Sequence, residues 1–209
     1  DRDNLTILTD TNVNKIVIEN KKAVGVECID KDGNYFILKA NKEVILSSGA
    51  FGSPQIMLRS GVGPRDEINK HGIEHLHELP GVGKNLQDHI DYLTVHRYDS
   101  IELIGMSLKS ILFKFPIEIL KYIFAKVGLF TSTVAEAGGF IKSKDGIQIP
   151  DIQLHFLPAM VVDHGRTQLW GHGLGCHMCL LRPKSRGEVT LKSSDPFDDP
   201  NIDPKFLSH

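Results

Sequence analysis

Residues able to do chemistry are scattered along this chain, and their spacing decides which of them can act together. Cys176-His177-Met178-Cys179 has the spacing of a metal or redox pair. A working pair needs both sulfurs on one side, as at a turn or a helix start. The flanking Leu174 and Leu180-Leu181 instead read as strand, and in a strand positions 176 and 179 face opposite ways. With no second pair in the chain, packing is their expected role. His71, His75 and His77 cluster among ten histidines, but a helix end followed by a loop fixes no ligand set, and a fourth zinc partner is missing. Each is expected to be satisfied locally. Three glycine pairs, Gly61/Gly63, Gly81/Gly83 and Gly171/Gly173, invite a nucleotide reading. The dinucleotide fingerprint needs a preceding strand, a third glycine three residues on and a following helix. None of the pairs meets all three, and Gly81 follows Pro80 rather than a strand. A Gly-x-Ser-x-Gly nucleophile elbow is also absent.

The elements that must position these groups sit in a chain of 209 residues, with 24 basic against 26 acidic side chains and 41% apolar content. That is too apolar for disorder, too poor in cysteine for a disulfide scaffold, and too balanced in charge for a nucleic-acid binder. Three cysteines suggest reduced thiols and a cytoplasmic setting. The charged opening Asp1-Arg2-Asp3-Asn4 is not followed by a signal-like apolar stretch. The chain does not begin with Met, which hints at a piece of something longer.

Leu5–Leu8, Val13–Ile18, Ala23–Ile29 and Tyr35–Leu38 read as strands of a meander, with Asp32-Gly33 as the turn signal. Val44-Ile45-Leu46, a continuous apolar run before Ser47-Ser48-Gly49-Ala50, suits a strand buried on both faces of a parallel sheet. Ser53 as cap and Pro54 at the first position predict a helix ended by Gly61; Pro64 opens a second, ended by Gly72. Residues 80–89 read as loop. Residues 105–127 carry apolar side chains at helical spacing, broken by Pro116 and interrupted by Lys109, Lys114, Glu118, Lys121 and Lys126. Two amphipathic helices on a sheet are expected there, with peripheral membrane contact as the other reading. Asp151–Leu157, Gly175–Leu181 and Glu188–Leu191 read as strands, and 194–206 as an ordered loop.

One stretch is specific. Ser48-Gly49-Ala50-Phe51-Gly52-Ser53-Pro54-Gln55-Ile56-Met57-Leu58-Arg59-Ser60-Gly61-Val62-Gly63 resembles the second signature of the glucose–methanol–choline oxidoreductases, a flavoprotein family. Asn4-Leu5 with Val13–Ile16, then Leu79–His89, then Leu181–Leu191 resemble further segments of that family in the same order. Asp163–Arg166 and Gly171–Cys179 resemble its bacterial alcohol and choline dehydrogenase branch.

The resemblance implies an α/β (mixed α+β) chain. Residues 1–96 would form part of a doubly wound FAD-binding domain. Residues 97–181 would form a substrate domain with an antiparallel sheet and helices, and 182–209 would return toward the FAD domain. It implies FAD as cofactor, a small alcohol as substrate, and hydride transfer to the flavin while a histidine accepts the hydroxyl proton. Val13 matches the residue whose backbone meets the adenine. Ser48, Gly49 and Ala50 match the strand end near the cofactor, where ligands sit in open α/β sheets and small residues admit close approach. From the residues alone, Ser48-Gly49-Ala50 is a plain strand-to-helix turn. The family's Gly-rich FAD loop and catalytic histidine have no counterpart here, so none of the ten histidines is assigned to catalysis. The chain is expected to be an internal fragment, with a non-catalytic binding or structural module as the alternative.

Overall fold

The computed structural model describes residues 2–167 and 169–209, the His164 side chain aside; Asp1 and Gln168 lie outside them. The chain divides into two compact units, Asp1–Gln87 with Lys184–His209, and Asp88–Pro183. The changes fall at 87/88 and 183/184, where the sequence suggested 96/97 and 181/182. The first moves because the strand Ile90–Arg97 pairs throughout with Gly173–Leu180 of the second unit.

The first unit opens with an antiparallel meander of β1 (Asn12–Glu19), β2 (Lys22–Ile29) and β3 (Tyr35–Lys39), in that order. Alternating apolar residues and the Asp32-Gly33 turn produce it as expected. The Asp30 carboxylate accepts the Asp32 and Asn34 amides at 2.9 and 2.8 Å and so pins the turn. Its carboxyl is held below the usual value mainly by the bonds from Asn34. Leu5–Leu8 forms no strand, and Leu5, Ile7 and Leu8 are exposed. Val44–Leu46 forms none either, and Ile45 is 76% exposed. A strand buried on both faces needs neighbours on both edges, and the described residues place none beside it.

Helix α1 (Gly49–Arg59) begins four residues before the predicted cap, and Pro54 lies inside it. Ser53 does not cap; its Oγ accepts the Ser48 amide at 3.1 Å. Then come β4 (Val62–Gly63), α2 (Arg65–Lys70) and β5 (His77–Glu78), β4 and β5 forming a short parallel pair. The expected loop 80–89 contains β6 (Lys84–Leu86). Leu58, Ile68, Val82 and Leu191 form the buried core of this unit, with Met57 and Ile73 against it.

The second unit is an antiparallel sheet in the order β7 (Ile90–Arg97), β11 (Gly171–Leu180), β10 (Ile152–Leu157), β9 (Ala137–Ile141), with β8 (Gly105–Met106) beside β11. A π-helical turn, Ser110–Lys114, runs directly into α3 (Phe115–Ala125). Pro116 does not break the run: the helical segment continues through it, with the π-helical turn, a common site of helix irregularity, directly before it. The apolar side chains of this segment do not pack on a sheet as expected: Phe113, Ile117, Leu120 and Phe124 are all more than half exposed.

The chain then returns to the first unit with β12 (Gly187–Thr190) between β6 and β13 (Asn201–Asp203). β13 lies within the stretch expected to be loop; its pairing with β12 supplies order that its Pro- and Asp-rich sequence hides. Gly83 makes the close approach possible. It has a φ of +74°, and a Cβ there would run into the Val189 carbonyl oxygen.

Candidate functional site

Helix α1 is flanked by two cavities, and its residues divide between them by helical period. Gly52, Gln55, Ile56 and Arg59 face a cleft of about 840 Å³, together with Val13 and Ser48. Ala50, Ser53, Pro54 and Met57 face a second of about 460 Å³, toward Asn85 and Val189. Both sets have the i, i+3, i+4, i+7 spacing of one helical stripe. Of the residues singled out from sequence, Val13 and Ser48 therefore share a cleft. Ala50 lies on the other cavity. Gly49 lines neither; it starts α1 with a φ of +75° and open space where a Cβ would stand.

The wall of the first cleft is the outer edge of β1. The register slips between Val13, opposite Cys28, and Lys15, opposite Glu27, so that Asn14 is an extra residue in the strand. Such a bulge re-aims the backbone. The Asn14 side chain is tied back to Glu27 at 2.7 Å. Its carbonyl accepts from Arg59 Nε at 2.8 Å, and Arg59 Nη2 reaches the Val13 carbonyl at 3.5 Å. Arg59 Nη1 donates to Gln55 Oε1 at 3.0 Å, one turn back on α1. Arg59 is only 7% exposed. Burial pulls its guanidinium below the ordinary arginine value, and the charge of Asp195 partly opposes this. One residue on, Ser60 Oγ accepts the Ile16 amide at 2.8 Å and donates to the Ile56 carbonyl at 2.5 Å. The last turn of α1 thus satisfies backbone groups of β1 that a neighbouring strand would otherwise meet. The sequence reading missed Arg59 and Gln55 as cleft residues; their polar i, i+4 spacing on an otherwise apolar helix was the available signal.

The other candidates do not form sites. Cys176 pairs across the sheet with Thr94 and Phe156, and Cys179 with Asp91 and Gln153, so the two thiols lie on opposite faces. Cys179 donates to Asp91 Oδ1 at 3.5 Å. Its thiol is pushed up by burial, then by that bond and the Asp91 charge, which keeps it protonated. His71 stands 3.4 Å from Glu67, and His75 lies 3.2 Å from Glu78, so the two do not converge. Among the described residues no group of three His, Cys, Asp or Glu side chains could hold a metal ion.

A Ser–His cluster does exist in the second unit. His172 Nδ1 lies 3.1 Å from the Leu103 carbonyl, which can only accept, so Nδ1 carries the proton. Nε2 then accepts from Ser107 Oγ at 2.9 Å or Ser110 Oγ at 3.1 Å. Ser110 is fully buried and His172 nearly so. Two of the three side chains are thus closed off from solvent, and the cluster fastens together the Leu103 carbonyl ahead of β8, strand β11 and the π-helical turn.

Residues 1–91, which include β1, α1 and β6, match the sequence profile of the family described as GMC oxidoreductase. The chain is 45% identical over 209 residues to an alcohol dehydrogenase [acceptor] of Pseudomonas putida, covering 100% of this chain and 38% of that protein. It is 40% identical over 210 residues to an oxygen-dependent choline dehydrogenase of Escherichia coli O6:K15:H31, covering 100% of this chain and 37% of that protein. The chain thus spans well under half the length of these curated relatives. A crystal structure of formate oxidase superposes with a TM-score of 0.84 at 28% identity, covering 99% of this chain and 41% of that one. The signature on α1, the strand that it braces and the end-to-end likeness to these relatives agree: the chain belongs to the GMC oxidoreductase family.

Proposed function

We propose that the protein is an FAD-dependent oxidoreductase that oxidises the CH–OH group of a small alcohol, and that this chain contributes the adenosine side of the flavin site. The observation that carries the reading is the cleft beside α1, where Val13 and Ser48 converge. Its volume lies within the roughly 300–1,000 Å³ of small-ligand sites. Its wall is the bulged edge of β1, whose carbonyls suit an amino group of a flat base, and its floor is set by Gly52, where a Cβ would press on that of Ser48 at 3.0 Å. These residues fit an adenosine. The flavin ring, when bound, takes up the hydride. Val13 and Ser48 are assigned to the cofactor, the backbone of Val13 to the base and Ser48 to the close approach of the chain; Gly49 and Ala50 do not line this cleft and serve to start α1.

The likeness to a P. putida alcohol dehydrogenase [acceptor] supports an alcohol as donor; the electron acceptor is left open. The exposed apolar side chains of α3, with Lys114, Lys121 and Lys126 beside them, support peripheral contact of a cytoplasmic enzyme with a membrane surface. Among the described residues no helix is long and apolar enough to cross one.

The test is to purify the full-length protein and record its visible spectrum. Visible flavin absorbance that bleaches on addition of a primary alcohol under anaerobic conditions is the expected result. A folded, colourless protein that takes up no added FAD would overturn the reading.

A further inference from the structure

We propose that Arg59 is a positioning residue that sets base selectivity at the cofactor cleft, by fixing the direction of the Val13 carbonyl. The inference rests on the assignment of this cleft to the adenosine of FAD, and extends it to a side chain with no assigned role.

Three observations carry it. First, β1 is an edge strand in its sheet, and the slip at Asn14 removes the ladder's hold on the backbone next to Val13. An unpaired, bulged edge has no intrinsic reason to keep one orientation. Second, Arg59 supplies that reason. Its Nε and Nη2 reach two successive carbonyls, Asn14 at 2.8 Å and Val13 at 3.5 Å, while Nη1 is steadied by Gln55 at 3.0 Å. A planar guanidinium with forked donors can span neighbouring acceptors in this way. A lysine ammonium, one atom with rotatable donors, cannot hold all three. Third, Arg59 is 93% buried by its 7% exposure yet lines the cleft, and no carboxylate lies within ion-pair distance among the described residues. Burying a cation in this way is costly, and an ordinary packing role is filled more cheaply by Leu or Met. The long bond to Val13 leaves that carbonyl a lone pair for a second donor. A carbonyl accepts from the 6-amino group of adenine and repels the 6-oxo group of hypoxanthine.

The experiment is equilibrium binding of ADP and of IDP to the full-length protein freed of flavin, by titration calorimetry, with circular dichroism as the check on folding. The native protein is expected to favour ADP over IDP by at least tenfold. Arg59→Met is expected to weaken ADP about tenfold and to bring the ADP/IDP ratio close to one. Arg59→Lys, which keeps the charge and most of the volume, is expected to lose the ratio as well and so guards against a misfolded Met variant. Gln55→Leu is expected to keep most of it. A folded Arg59 variant that retains the native ADP/IDP ratio would overturn the role of Arg59 while leaving the cleft assignment standing. A native protein that binds neither nucleotide would instead overturn the cleft assignment, and this inference with it.

Discussion

His172 Nε2 lies 2.9 Å from Ser107 Oγ in the second unit, one ring nitrogen held by the Leu103 carbonyl ahead of β8 and the other by the serines at the start of the helical segment. The pair has the chemistry of a nucleophile and its base, but its burial makes it a fastener. Replacing His172 with Ala leaves the Leu103 carbonyl without its donor and opens a cavity where the ring stood, while the Ser107 and Ser110 hydroxyls keep the bond between them at 3.1 Å. Unsatisfied buried groups of this kind cost about 1–3 kcal/mol each, partly relieved by water or hydroxyl rotation. His172→Ala is therefore expected to destabilise the fold by about 2–4 kcal/mol in urea unfolding. A loss below about 0.5 kcal/mol would show that the network contributes little.

Ser60 makes a different test of the seam between β1 and α1. Ser60→Ala deprives the Ile16 amide of its acceptor. A cost of about 1–2 kcal/mol is expected, with faster hydrogen exchange at Ile16 than at the ladder-bonded amides of β2.

Glu118 accepts from Lys121 Nζ at 2.6 Å and from the Leu129 amide at 2.8 Å. These bonds, Lys121 first, hold its carboxyl below the usual glutamate value of 4.5. Its contribution to stability is therefore fully present above pH 4.5 and is lost as pH falls through the lower value of the folded state. Glu118→Gln should flatten the acid limb of the thermal midpoint against pH. An unchanged acid limb would assign that limb to other carboxylates.

Cys179 is kept as a thiol by burial and by Asp91. It is expected to react slowly with iodoacetamide at neutral pH, and faster in Asp91→Asn, as followed by mass spectrometry of the peptide that contains it. Equal rates in the two proteins would refute the contribution of Asp91.

Gly83 is expected to tolerate no side chain. Its positive φ and the Val189 carbonyl in its path predict that Gly83→Ala loses about 1–3 kcal/mol, as overpacking does. The urea midpoint measures it.

How far the sequence could be read depended on the range of each interaction. The meander was legible because alternation along Ala23–Ile29 and the Asp32-Gly33 turn are local signals. The faces of Cys176 and Cys179 followed from the strand period in the same way. Val44–Leu46 misled, because three apolar residues in a row carry no information about whether neighbouring strands are present. Residues 105–127 misled for a related reason: apolar spacing predicts a helix but does not say what covers it. β6 and β13 were illegible, since each is ordered by β12 rather than by its own sequence. At the cleft, the motif drew attention to the adjacent letters Ser48, Gly49 and Ala50. A helix distributes consecutive residues around its axis, so Ala50 turned to the other cavity while Arg59, eleven positions after Ser48, came to face the same one.

The pairing of β6 with β12 also orders events in time. Lys84 and Glu188, which form an ion pair across it, are 104 residues apart. Leu191, part of the first unit's core, comes later still. At a synthesis rate of about 5–20 residues per second, roughly 5–20 s pass between the emergence of β6 and that of its partner. During that interval the whole of the second unit is made, and its sheet, closed within Asp88–Pro183, is free to form first. The nascent first unit waits with Leu58, Ile68 and Val82 short of a neighbour, which makes this the window in which a chaperone would have something to hold.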